Sequence, residues 1–307
     1  MGKVAYIFPG QGSQKVGMGY DLYKNHATAR KIYDLADDIL GFPLTKLCFE
    51  GPADELTLTQ NAQPALLVTS IATMNTAKKV GNLPVPAFFA GHSLGEYSAL
   101  VAAGALDFRD ALKLLIKRAS LMEKAAKANP GGMLALIEVD LATADKICTI
   151  TGMEISNVNA PQQIVISGPI DILEPATKIA TEAGVRKIIQ LKVSGAFHSR
   201  LMKPAADGLK KALEGVVIKD ISIPVIVNAS AFPTFTANEI RHELEVQLLN
   251  PVLWQPSVEY MEKQKTSTFI EFGPGKVLTG LTKRILPNAN LFNVDDNNSL
   301  NQDWNLE

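Results

Sequence analysis

The chain has 307 residues, 47% apolar and 20% charged, with 30 Lys and Arg against 31 Asp and Glu for a net charge of −1. This is the composition of an ordinary globular protein, long enough for two domains or for one domain with an insertion, and it excludes the basic footprint of a nucleic-acid binder. No apolar stretch approaches the ~20 residues of a membrane span, so no membrane association is expected. The first apolar run is too short for a signal peptide, and Tyr6 stands where myristoylation wants Ser or Thr. Cys48 and Cys148 have no metal-like spacing and fit a reduced, cytoplasmic compartment.

In chain order, Val4–Phe8 is an apolar run closed by Pro-Gly, which suits a buried strand. A helix is expected over Ala62–Val80, a second buried strand over Val85–Ala90, then helices over Ser93–Gly104 and Phe108–Ala128. Strands followed by helices predict a parallel sheet covered on both faces. The rhythm changes after Asn129-Pro-Gly-Gly. Strand Met133–Val139, helix Ala142–Thr151, strands Glu154–Val158 and Gln163–Ser167, helix Ile170–Ala183 and strand Arg186–Val193 follow. That is the β-α-β-β-α-β order of a ferredoxin-like unit. The larger unit resumes with helix Ser199–Leu213, strand Pro224–Asn228, helix Ala237–Leu249 and strand Thr268–Phe272. The expected organisation is a discontinuous α/β domain (1–128 and 195–290), an inserted subdomain (129–194) and a polar tail (291–307), loosely ordered from Asp295.

Gly91-His-Ser93-Leu-Gly95 is a Gly-x-Ser-x-Gly pattern, which alone arises about once in ten chains of this size. Here it lies between an apolar strand and an apolar helix, where a nucleophile elbow belongs. Small residues on both sides let the turn expose Ser93 Oγ, and the helix start aims free N–H groups at a developing oxyanion. The plain alternative is a strand-turn-helix with Ser93 as N-cap.

A serine nucleophile needs a base. His26 and His242 lie in polar helical surroundings and read as surface residues, and His92 reads as turn packing. His198 follows a strand end, where catalytic groups collect in α/β sheets, but position alone leaves its role open. On the helix Phe108–Ala128, Arg118 falls three or four residues from Leu114, Leu115, Leu121 and Met122, on the apolar face. It is either half of a buried ion pair or a bidentate clamp for a substrate carboxylate. Gly10-Gln-Gly12-Ser-Gln-Lys15 and Gly275-Lys276 lack the residues that dinucleotide and phosphate loops require.

Together, Phe8-Pro-Gly-Gln-Gly-Ser-Gln14, Gln63-Pro-Ala-Leu66, Gly91-His-Ser-Leu-Gly-Glu96, Ala196-Phe-His-Ser199, Leu201-Met-Lys-Pro204 and Phe272-Gly-Pro-Gly-Lys-Val-Leu-Thr-Gly-Leu281 resemble the malonyl-CoA:acyl carrier protein transacylases of fatty acid synthesis, over roughly residues 3–287. The resemblance implies an α/β-hydrolase-like large domain with a ferredoxin-like small one and an active site between them. It implies that Ser93 carries the acyl group, that His198 is its base, oriented by the backbone carbonyl of Gln247, and that Arg118 binds the malonyl carboxylate. The backbone N–H groups of Gln11 and Leu94 form the oxyanion hole in such a site, Gln63 and Asn159 line the pocket, and Phe197 before the histidine goes with malonyl use. Malonyl-CoA and acyl carrier protein are the implied partners, with no cofactor and no metal. Lys187, Lys192, Arg200, Lys276 and Arg284 are candidates to meet an acidic carrier protein. A stand-alone acyltransferase feeding a modular polyketide synthase would share every one of these residues; a serine thioesterase or lipase-like hydrolase is a second alternative, and the inward Arg118, which suits an acidic acyl group, argues against a lipase. A malonyl-CoA-binding regulator is the non-enzymatic one.

Overall fold

Along the first strand Val4, Tyr6 and Phe8 point to one face and Ala5 and Ile7 to the other, and all five are buried. Such a strand can lie only in the middle of a sheet covered on both sides. The computed structural model describes residues 2–81, 83–302 and 304. In chain order they form β1 (Lys3–Phe8), α1 (Tyr20–Asn25), α2 (Ala27–Leu40), α3 (Leu44–Glu50), α4 (Ala53–Thr57), α5 (Thr59–Val80), β2 (Phe88–Gly91), α6 (Gly95–Ala103) and α7 (Phe108–Ala128). Then come β3 (Gly131–Ile137), α8 (Leu141–Thr151), β4 (Glu154–Ala160), β5 (Gln163–Pro169), α9 (Leu173–Glu182) and β6 (Lys187–Gln190). The chain ends with α10 (Lys203–Leu213), β7 (Val225–Ile226), β8 (Pro233–Thr234), α11 (Ala237–Val246), α12 (Trp254–Lys263), β9 (Thr266–Phe272), α13 (Val277–Ile285) and β10 (Asn290–Val294).

The large sheet has the order β10-β9-β1-β2-β7-β8, parallel except for the β7–β8 pair. The chain builds outward from β1 to β2 and β7 on one side, and later to β9 and β10 on the other. Its strand order therefore reverses beside β1, and the carboxyl ends of β1 and β2 open onto the crevice where α/β sheets bind ligands. Tyr6 and Phe8 pack into the larger core with Leu66, Leu100, Met122 and Phe272. Ala5 and Ile7 pack beneath with Phe88, Trp254, Phe269 and Leu278. α5 is buried along nearly its whole length, which is why its sequence carries no polar stripe.

The inserted strands form a separate antiparallel sheet of order β4-β5-β3-β6, the ferredoxin-like arrangement expected. Leu134, Leu136, Ile164 and Ile166 turn inward onto α8 and α9, while Met133, Ala135 and Val165 face the large core. The small sheet is thus a lid whose inner face is continuous with the main hydrophobic cluster.

Several expected elements change at their ends. The strand expected from Val85 begins at Phe88, and Val85 is 82% exposed. The helix expected from Ser93 starts at Gly95, because the elbow uses Ser93 and Leu94. The helix expected through Leu249 stops at Val246 and tightens into a 3₁₀ turn, Gln247–Leu249. The sequence reading of the tail is corrected furthest. Asn290–Val294 is an edge strand paired with β9. Beyond it Leu300 and Trp304 are buried, with the Trp304 ring edge-on to Phe292 at 5.4 Å. Two apolar side chains in a polar stretch give no period to read, yet each fills a hole in the core. Asp303 and 305–307 lie outside the described residues.

Candidate active site

β2 ends at Gly91, and the chain then turns so sharply that Ser93 adopts φ 51°. A side chain at Gly91 would overlap the backbone of Gly95, and one at Gly95 would overlap the carbonyl of Phe8. Both glycines are therefore required by close approach of backbone. The left-handed conformation at Ser93 lifts Oγ clear of the turn, at a backbone cost that the surrounding structure must hold.

His198, also left-handed at φ 57°, accepts from Ser93 Oγ through Nε2 at 2.8 Å. Its Nδ1 faces two carbonyl oxygens, Gln247 O at 3.0 Å and Asn250 O at 3.1 Å. Carbonyls only accept, so the proton sits on Nδ1 and Nε2 presents its lone pair to the serine. The 3₁₀ turn after α11 supplies the Gln247 carbonyl and the residue that caps it supplies the Asn250 carbonyl, and among the described residues no carboxylate bonds to the ring. Burial, reinforced by the nearby Arg118 charge, pushes the His198 pKa from 6.5 down to about 3, so the ring is neutral and able to accept a proton at pH 7.

Arg118 is 1% exposed. It donates to Gln63 Oε1 at 2.8 Å, to Gln247 Oε1 at 3.1 Å and to Ser93 Oγ at 3.1 Å, and its guanidinium carbon lies 5.5 Å from the Tyr97 ring centroid. Every acceptor is neutral, and among the described residues no carboxylate forms an ion pair with it. The buried ion pair considered from sequence is therefore not what the helix holds. A desolvated cation without an ion-pair partner is costly; the carboxyl that acts on it, buried Glu96, is itself pushed well above the usual carboxylate range by burial, and the guanidinium points at the nucleophile.

A cavity of about 220 Å³ opens over these groups, lined by Gln11, His92, Ser93, Leu94, Arg118, Asn159, Phe197 and His198, with Met122, Met133, Val165 and Val193 as apolar wall. Among the described residues the amide N–H groups of Gln11 and Leu94 donate to no protein acceptor, and both residues border the cavity beside Ser93. The Gln11 side chain donates to Thr59 Oγ1 at 3.2 Å. His92 Nε2–H donates to Asn159 Oδ1 at 2.8 Å, so His92 serves the site by holding Asn159. Gln63 is not in the cavity wall as expected. It lies behind Arg118 and fixes it, its amide nitrogen resting on Met122 Sδ at 3.4 Å.

His242 is exposed, whereas His26 is half-buried and bonded to Asn297 at 2.6 Å. Of the basic residues, Arg200 is occupied by Glu154 at 2.8 Å and Arg284 by Gln163, while Lys187, Lys192 and Lys276 are exposed and have no carboxylate within 4 Å among the described residues. Asn157 and Gln163 also border the cavity and carried no site signal in the sequence, because each becomes part of the site only when the small sheet closes over it; Val277, within the Phe272–Leu281 motif, borders it from α13.

The model of a family described as "Acyl transferase domain" matches residues 5–295. The malonyl CoA-acyl carrier protein transacylase of Bacillus subtilis is 47% identical over 290 residues, covering 93% of this chain and 91% of that one. A crystal structure of an acyl carrier protein S-malonyltransferase from Vibrio cholerae superposes with a TM-score of 0.94 at 42% identity, covering 97% and 98% of the two chains. A malonyl-transacylase solved in complex with its type II polyketide synthase acyl-carrier protein has a TM-score of 0.94 at 40% identity, covering 97% of each chain.

Proposed function

The chain belongs to the acyl transferase family, and from that premise we propose that it transfers a malonyl group from malonyl-CoA to the phosphopantetheine thiol of an acyl carrier protein through a malonyl-Ser93 intermediate. The observation that carries the reading is the unneutralised Arg118 guanidinium 3.1 Å from Ser93 Oγ, in a wall that otherwise suits a short acyl chain.

Ser93 Oγ attacks the thioester carbonyl as its proton passes to His198 Nε2, and the oxyanion is held by the N–H groups of Gln11 and Leu94. Arg118 exchanges its neutral acceptors for the malonyl carboxylate. The tetrahedral intermediate collapses, and the C–S electron pair leaves with CoA as a thiolate whose conjugate thiol has a pKa of ~8.5, as for cysteine. The His198 proton then returns to that sulfur. A leaving group this good asks little of the general acid, so a histidine backed by carbonyl dipoles suffices without an aspartate. The carrier thiol next gives its proton to Nε2, attacks the malonyl ester, and Ser93 leaves with the proton. One thioester replaces another, so the exchange is close to balanced and reversible. Residues 129–194 act as the subdomain that roofs the cavity, in keeping with the face that Met133 and Val165 present. Exposed Lys187, Lys192 and Lys276 suit an acidic carrier.

The test is an acid-quenched mixture with malonyl-CoA, read by intact mass beside Ser93→Ala. A malonyl adduct on the parent alone supports the reading, and no adduct with intact malonyl-CoA overturns it. Release of free malonate in place of transfer to carrier protein would mark a hydrolase instead.

A further inference from the structure

The turn that carries Ser93 is gripped from the neighbouring strand by one side chain. Asn228, 2% exposed, follows β7. Its Oδ1 accepts the Ser93 N–H at 2.7 Å, and its Nδ2 donates to Gly91 O at 2.7 Å. The amide orientation is forced, since one partner can only donate and the other only accept. The backbone of Asn228 is pinned in turn. Its N–H donates to Glu96 Oε2 at 2.7 Å, its carbonyl accepts from Leu253 N at 2.9 Å, and the next N–H, of Ala229, donates to Glu243 Oε1 at 2.8 Å.

The placement follows from strand geometry. β2 pairs with β7 at Phe89↔Val225 and Ala90↔Ile226, and Phe89 N–H donates to Pro224 O at 3.0 Å. Donors facing one neighbour recur every second residue along a strand, so Phe89, Gly91 and Ser93 share that edge. At Ser93 the chain leaves the sheet plane. A backbone carbonyl of β7 no longer reaches, and the Asn228 side chain supplies the acceptor.

This settles which amide of the elbow is free. The Ser93 N–H goes to Asn228, and the Gly95 N–H goes to His92 O at 2.9 Å. The Leu94 N–H, between them, has no protein acceptor among the described residues. We infer that Asn228 is a positioning residue for acyl transfer, holding the elbow so that the Leu94 N–H and Ser93 Oγ both face the reacting carbonyl. The inference rests on the reading of Ser93 as the acyl carrier and touches no part of the acyl chain, so it is blind to what the acyl group is.

An oxyanion donor contributes ~10²–10³ in rate, and misplacement by about 1 Å costs ~10². Asn228→Asp keeps the acceptor for Ser93 but sets a carboxylate oxygen against Gly91 O. Asn228→Ser is too short to span both partners. The experiment is single-turnover acylation over a range of malonyl-CoA and, separately, acetyl-CoA concentrations. For both thioesters alike the limiting rate is expected to fall ~100-fold in either variant, with half-saturation changed less than about threefold. A limiting rate within about threefold of the parent in a folded variant, or a loss confined to half-saturation, overturns the inference. Amide hydrogen exchange on the parent gives an independent reading that no folding failure can remove. The Ser93 N–H is expected to be protected and the Leu94 N–H to exchange freely, and equal exchange of the two overturns the inference. Absence of any malonyl adduct on the parent would instead remove the underlying reading of Ser93.

Discussion

Arg118 carries its charge into a wall where every hydrogen-bond partner is a neutral oxygen and the Glu96 carboxyl acts on it only from outside ion-pair distance, so an entering carboxylate meets a guanidinium with no ion-pair partner. Charge-assisted bidentate bonds in such a setting contribute ~2–4 kcal/mol. Arg118→Ala is therefore expected to slow acylation by malonyl-CoA by about 30-fold to 10³-fold, while acetyl-CoA changes only a few-fold. Single-turnover rates with the two thioesters check this, and equal losses would rule out a carboxylate clamp. His198 sets the pH behaviour. With its pKa pushed down to about 3 by burial and then by Arg118, the base stays available well below pH 6.5. The acylation rate of the free enzyme is expected to stay flat from pH 7 to about pH 5, and a limb centred near 6.5 would contradict the buried, neutral ring. Stability carries the same sign. Between pH 6.5 and about 3 the unfolded chain binds a proton at His198 that the folded chain does not, so the His198 contribution weakens folding as the pH falls through that window, opposed between about 7 and 4.5 by Glu243, whose pKa burial raises to about 7. The inward face of Arg118 was legible because its neighbours three and four residues away are apolar. Its partners were not, since Gln63 and Gln247 lie 55 and 129 residues distant.

The elbow between β2 and α6 shows what an element adds to its residues. Its glycines were legible as turn formers, but the need for each comes from a particular backbone that passes close by. Gly91→Ala is expected to cost ~3 kcal/mol or more, or to leave no folded protein, because Gly95 cannot recede without dragging α6 off β1. Denaturant unfolding measures it, and a midpoint equal to the parent's would mean the turn is looser than its geometry. The end of α11 teaches the complementary lesson. The pattern over Ala237–Leu249 fits a helix throughout, yet the last turn tightens and points the carbonyls of Gln247 and Asn250 at His198. Apolar periodicity does not separate a final α-turn from a 3₁₀ turn, because both bury Leu248.

At the scale of the whole molecule, the crevice forms where strand order reverses beside β1, and the inserted sheet closes it. The chain's last described residues belong to that molecule rather than trailing from it. Trp304→Ala is expected to destabilise the fold by ~3 kcal/mol, since it empties a buried site against Phe292. A thermal midpoint unchanged from the parent would restore the loosely ordered tail. The sequence by itself determined the α/β rhythm, the ferredoxin-like insertion, the elbow and the inward arginine, because strand and helix periods and glycine turns are local properties. Only the tertiary structure decided that the Asn250 carbonyl joins that of Gln247 at His198, that Gln63 stands behind Arg118 instead of in the cavity, that Asn228 grips the elbow, and that Leu300 and Trp304 are core. Each of those is a contact between residues far apart in the chain, and its energy exists only after distant elements have packed.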